Sequence, residues 1–220
     1  MAPSPTTWPS AAPPRPHTDA AQAIGKIDVD VTNLDVDLLS IAGHKCYAPK
    51  GIGALYRRPG TPLNPLLMGA GQEHGLRPGT ENVAGIVGIG AACDLARSHL
   101  GDETKQLACL RHTLWQLLNA AIPDMVRHTP EVALPNTLTV SFPGVLGRDV
   151  LAHAAGLAAS TGSACHSGLD TPSATLLAMG VPPATALGSV RLSLGRSTTA
   201  TDISTAATIL VTAHGLASAS

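Results

Sequence analysis

The chain lacks an excess of either charge: fourteen Lys and Arg stand against fifteen Asp and Glu, a formal net charge of -1. A nucleic-acid or anionic-membrane partner calls for a basic patch, so small molecules are the expected ligands. It also lacks any run near the roughly eighteen unbroken apolar residues that span a bilayer. The longest apolar region, VAGIVGIGAACDLA at 83–96, is interrupted by glycine and ends in charge, which predicts a soluble chain. Cysteine is sparse, and Cys46, Cys93, Cys109 and Cys165 stand singly. Without a CxxC pair or a short-loop framework they suit a reducing, cytoplasmic setting better than a disulfide scaffold. Nine histidines include no HxxxH and no paired Cys/His spacing, which argues against a metal site. Residues 1–16, MAPSPTTWPSAAPPRP, have neither the apolar core of a secretory signal nor the Arg-rich pattern of a transit peptide. They read as a disordered, proline-rich leader. No internal repeat is visible.

What is present begins at residue 17, where short β-type runs alternate with helical stretches, the pattern of an α/β chain. VDLLSIA (36–42) and GIGALYRR (51–58) read as buried strands bounded by turn residues. A Gly- and Pro-rich loop follows to about residue 80, and loops of that length in a compact domain are usually functional. A helix is predicted from Glu81 to about His99 with Thr80 as its N-cap, and a second from about Glu103 to Ala121, where leucines recur at helical spacing. Beyond lie a strand at 136–142, a helix near 147–156, the small-residue loop TGSACHSG (161–168), a short helix ending near Gly180, the strand SVRLSLG and a helix over 201–215. At 220 residues there is room for one large domain or two small ones. The helical stretch near 81–121 joins a sheet fragment over 17–100 to a smaller α+β domain over 101–220.

Lys45 closes an apolar strand in SIAGHKCYAPKGIGALY (40–56). Burial lowers a lysine's pKa toward neutrality and frees its amine to attack an aldehyde, which is what pyridoxal phosphate requires. That cofactor also needs an anion opposite its ring nitrogen. Asp19, in HTDAAQ upstream, is the candidate.

Five motifs in order, HTDAAQAIGK, DLLSIAGHKCYAPKGIGALY, GQEHGLRPGTENVAGIVGIGAA, TGSACHSG and VRLSLGRSTT, closely resemble the cysteine desulfurases and their selenocysteine lyase relatives. These belong to the class V aminotransferase group of fold-type I pyridoxal phosphate enzymes. The resemblance covers about 17–216. It implies that 17–100 is part of the cofactor-binding large domain and 101–220 the small C-terminal domain. It further implies that Asp19 pairs with the ring nitrogen, Gln22 touches the ring hydroxyl and Lys45 bonds the aldehyde. His44 helps hold the phosphate, and Thr80 reaches the phosphate of the other subunit in a homodimer. Arg191 grips the substrate carboxylate, for which a guanidinium fork is well matched. Cys165, flanked by Gly162, Ser163, His166 and Gly168, is the nucleophile that takes sulfur from cysteine, leaving alanine and a persulfide for a sulfur-acceptor protein, as in iron–sulfur cluster assembly. Cys46, Cys93 and Cys109 are expected in the core. The glycines of GIVGIG are expected to allow helix packing, since no strand precedes them as a dinucleotide site requires.

Two departures from the family pattern stand out. Ala42 occupies a position where the family usually has a hydroxyl that contacts phosphate, and with ACHS around Cys165 it leans toward selenocysteine lyase. Only sixteen residues precede His17, so the chain corresponds to the C-terminal part of such an enzyme and should leave a sheet edge uncovered. A class V aminotransferase without sulfur transfer, in which Cys165 is idle, and a non-catalytic fragment are the alternatives.

Overall fold

A computed structural model of the chain describes residues 15–162 and 171–219. Most of the expected leader (1–14) and the segment 163–170 with Cys165 lie outside the described residues. The chain divides into two compact units, one ending at Ser98 and the other starting at His99.

The first unit is built on a three-stranded mixed sheet. Strand β1 (His17–Asp19) pairs in parallel with β2 (Leu38–Ala42), Asp19 opposite Ser40. Strand β3 (Gly53–Arg57) runs antiparallel along the other side of β2, Leu39 opposite Tyr56. Strand alternation sends Leu39 and Ile41 to one face, where Ala20, Val36 and the crossover residues Ala23, Ile24, Val29 and Val31 cover them. His17, Asp19 and Ser40 share the opposite face. The expected strands at 36–42 and 51–58 both form, yet β3 is not buried: four of its five residues are exposed, Leu55 by 50%. Among the described residues β3 has a strand partner on one edge only, so an apolar sequence composed for cover stands open.

Helix α1 runs unbroken from Val83 to Ala121, where two helices were expected. Gly101 inside a helix costs only about 1 kcal/mol, and Leu107, Leu114 and Leu118 beyond it are buried on one face. The N-cap is Asn82 rather than Thr80: its Oδ1 accepts from the Gly85 N–H at 3.0 Å. Of the GIVGIG glycines, Gly88 permits close packing, because a Cβ there would stand 2.8 Å from the ring of Pro49.

The second unit carries an antiparallel sheet in the order β4 (Val126–Arg127), β5 (Thr137–Ser141), β6 (Ser189–Ser193). Leu138, Val140, Val190 and Leu192 point to one face and are essentially sealed from solvent. Each contributes about 1.5–3 kcal/mol by burial. Against them pack Leu114 and Leu118 of α1, Val150 of α2 (Gly147–His153), and Ile203, Ala207 and Leu210 of α5 (Ala200–Ser218). The short helices α3 (Ala174–Ala178) and α4 (Pro183–Leu187) precede β6. Helix α5 opens on a reciprocal cap: Thr199 Oγ1 accepts from the Asp202 N–H at 3.2 Å, and Asp202 Oδ2 accepts from the Thr199 N–H at 2.8 Å. Among the described residues, no helix is long and apolar enough to cross a membrane.

Candidate active site

In the first unit, the residues singled out by sequence gather at the carboxyl ends of the two parallel strands. Asp19 is the last residue of β1, and Lys45 lies three residues past the end of β2. Open α/β sheets bind ligands at that end, because the loops there leave a crevice. Asp19 is exposed, and its Oδ1 accepts from the Ala21 N–H at 2.8 Å, which fixes the turn after the strand. Gln22 follows within that turn and is exposed. Two residues before Asp19, His17 reaches across to β2, its Nε2 2.7 Å from Ser40 Oγ.

Lys45 sits in a 3-10 turn, Gly43–Cys46. Gly43 and Cys46 face inward and His44 and Lys45 outward, so the amine expected to be buried is exposed. Two contacts explain the inward residues. The Cys46 thiol donates to the Gly43 carbonyl at 3.2 Å. Gly43 lies so close to β3 that a Cβ would fall 2.7 Å from the Ile52 carbonyl oxygen, and glycine alone avoids that clash. The turn ends at Tyr47, whose φ of 69° is left-handed, a conformation a bulky residue adopts at a cost of about 1–3 kcal/mol.

Cys46 and Cys93 pack in one cluster with Ala48, Ile89 and Ala92. Burial first, then the neighbouring Cys46 thiol, pushes the Cys93 thiol up from its ordinary range, as suits an inert core residue. Cys109 departs from its expectation: it lies on the exposed side of α1. Thr80 is exposed at the end of the long loop. The turn before it is clasped by Gln72, whose Oε1 accepts from the Gly79 N–H at 3.2 Å.

Arg191 belongs to the second unit. It sits on the polar face of β6, opposite Thr139 of β5, and its main chain bridges to Ser160. With His128, Thr139, Thr161, Gly162 and Ser189 it lines a cavity of about 470 Å³. Strand alternation places Arg191 on the face away from the buried Val190 and Leu192. His128 Nε2 lies 2.7 Å from Ser141 Oγ, and burial lowers the imidazole below its ordinary value. The described chain before the Cys165 loop, Thr161 and Gly162, and Ser173 just beyond it all line this cavity.

The family model for class-V aminotransferases matches residues 15–205. The chain belongs to that family. A cysteine desulfurase of Gluconacetobacter diazotrophicus is 47% identical over 190 residues, covering 85% of this chain and 48% of the relative. A solved NifS-like protein superposes with a TM-score of 0.81 at 35% identity, over 91% of this chain and 52% of that one. The structure of SspA in complex with cysteine superposes with a TM-score of 0.63 at 37% identity, over 81% of this chain and 49% of that one. The chain thus spans about half the length of the curated relatives it matches, and it carries the C-terminal part of a fold-type I large domain together with the small domain.

The donor set fits the cofactor of this class. The Lys45 amine is exposed, as an aldehyde partner must be, and an exposed carboxylate ends the adjacent strand, as a ring nitrogen requires. His44 and Thr80 are both exposed and carry side chains able to donate to a phosphate. Sequence reading passed over His128, Ser40 and Lys26. The first two carry no signal, being common polar residues in ordinary strands and turns. Lys26 carried one: it is the single cation between Arg15 and Lys45.

Proposed function

We propose that the chain is the C-terminal part of a pyridoxal phosphate-dependent cysteine desulfurase. The observation that carries the reading is the placement of Asp19 and Lys45 at the carboxyl ends of adjacent parallel strands. When bound, pyridoxal phosphate draws electrons from the substrate's α-carbon and so loosens its bonds. The residues that would hold it are Asp19 at the ring nitrogen, Gln22 at the ring hydroxyl, Lys45 at the aldehyde and His44 at the phosphate, with Thr80 reaching the phosphate of a second subunit in a homodimer. Arg191 would hold the substrate carboxylate by two parallel hydrogen bonds. The Cys165 thiolate attacks the substrate's sulfur and the carbon–sulfur bond breaks. Its electron pair stays with carbon and is protonated to give alanine, while Cys165 keeps the sulfur as a persulfide. A sulfur-acceptor protein then takes it in the cytoplasm.

Support comes from two directions. The curated relatives are cysteine desulfurases at 44–47% identity over the matched residues, and one structural neighbour was solved with cysteine. Two alternatives remain distinct in assay. A selenocysteine lyase releases selenium from selenocysteine in preference to sulfur from cysteine, and a class V aminotransferase without sulfur transfer is indifferent to Cys165.

The test is sulfide release from cysteine by the purified chain loaded with pyridoxal phosphate, alone and supplemented with the N-terminal half of a relative. The reading predicts release that disappears in Cys165→Ser while the cofactor's visible absorbance is kept. Cofactor absorbance that never develops in either setting would leave the non-catalytic fragment as the correct reading.

A further inference from the structure

The crossover between β1 and β2 buries a cation that the proposed chemistry does not use. Lys26 is only 6% exposed. Its Nζ donates to the main-chain carbonyl of Lys45 at 3.2 Å, and the same ammonium lies 5.4 Å from the centre of the Tyr47 ring. Taking an ammonium out of water costs several kcal/mol, and for stability alone a packed apolar side chain serves as well or better. Two of its contacts bear on one turn: the carbonyl belongs to Lys45, the ring to the residue two beyond. Tyr47 is also the residue forced into the left-handed region, a backbone state that persists only where the surroundings over-determine it. Lys26 lies on the segment that carries Asp19 and Gln22, so it links the β1 end of the site to the turn past β2.

We propose that Lys26 is the positioning residue of Lys45. Its ammonium fixes the carbonyl of residue 45 and the ring of residue 47, and thereby sets the direction in which the Lys45 amine leaves the sheet relative to Asp19. The inference rests on the proposed role of Lys45 but is testable without it. In the full chain, hydrogen exchange is measured for the Tyr47 and Ala48 amides, both of which bond to the Gly43 carbonyl. Lys26→Met, similar in length and uncharged, is expected to speed both by about tenfold or more, the scale of a lost hydrogen bond to a charged group. Exchange in β2 is expected to stay unchanged, and Lys26→Arg is expected to restore slow exchange. In parallel, each protein is incubated with pyridoxal phosphate, reduced with borohydride and mapped by mass spectrometry, with Lys50, exposed in the same loop, as the internal reference. The ratio of label at Lys45 to label at Lys50 is expected to fall in Lys26→Met and to recover in Lys26→Arg. Unchanged exchange at Tyr47 and Ala48 in Lys26→Met overturns the proposal. So does faster exchange spread evenly over β1, β2 and β3, which would make Lys26 a residue of the general fold. A wild-type chain that labels Lys45 and Lys50 alike counts against the proposed function, while the exchange result still decides the role of Lys26.

Discussion

The two units carry the same kinds of element on very different cores. In the second, one cluster of seventeen buried residues joins β5, β6, α2, α5 and the C-terminal part of α1. In the first, burial is split between a cluster of four around Cys46 and one of three around Leu39, and an apolar strand lies exposed beside them. Yet the first unit carries Asp19, Gln22, His44 and Lys45. The difference teaches that, on the proposed reading, holding a fold and holding a cofactor are separated in this chain. The second unit is stabilised by its own interior, whereas the turn that carries Lys45 is held by local devices: the close approach of Gly43 to Ile52, the left-handed Tyr47 and the buried ammonium of Lys26.

The comparison can be broken most forcefully from the second unit. Leu118 is completely buried in the large cluster, and Leu118→Ala should cost about 2–5 kcal/mol, the usual range for such a cavity. Hydrogen exchange should then accelerate across β5, β6 and α5, with β1 and β2 little affected; acceleration in β2 of equal size would show that the units share one cooperative core. A smaller effect is expected from Gly43→Ala. Its Cβ would meet a backbone oxygen that cannot turn aside, so a loss of about 1–3 kcal/mol is expected. Chemical denaturation followed by tryptophan-independent exchange mapping should place that loss around Lys45 and leave the second unit's midpoint unchanged.

The smallest effect is one of pH. Burial favours neutral His128 in the folded second unit, while the unfolded chain binds the proton at the ordinary value of about 6.5. Stability from this group is therefore fully present above that value and falls away as pH drops below it toward the folded value. His128→Asn should flatten the acid side of the second unit's stability profile, as read by denaturant midpoints between pH 7 and pH 5. An unaltered acid slope would mean that another group governs it.

Much of this architecture was legible in the sequence, for reasons that differ by element. Strands β5 and β6 and helix α5 form where they were expected, and the structure gives the reason: Leu138, Val140, Val190 and Leu192 alternate with polar residues, and α5 opens on the Thr199–Asp202 cap. The single helix α1 was read as two because Gly101 and the charges around it look like a break, whereas burial on both sides carries the helix through. The N-cap was misplaced by two residues since Thr80 and Asn82 are both good caps and local pattern cannot choose between them. Exposure of β3 and of Lys45 ran against expectation because a short apolar run reads the same in sequence whether or not a second layer covers it. Asp19 and Lys45 were named from their motifs, but Lys26 was not, because the contact that marks it is with a carbonyl nineteen residues away in sequence.

The central claim is that the Lys45 amine and the Asp19 carboxylate serve one pyridine ring. Its most direct test is the site of attachment of pyridoxal phosphate, fixed by borohydride reduction and located by peptide mass mapping in the wild-type chain and in Asp19→Asn. The account predicts attachment concentrated at Lys45 in the wild type and sharply reduced in the variant, with the background at Lys50 and Lys105 unchanged. Attachment spread evenly over the exposed lysines, or attachment at Lys45 that is indifferent to Asp19, would contradict it.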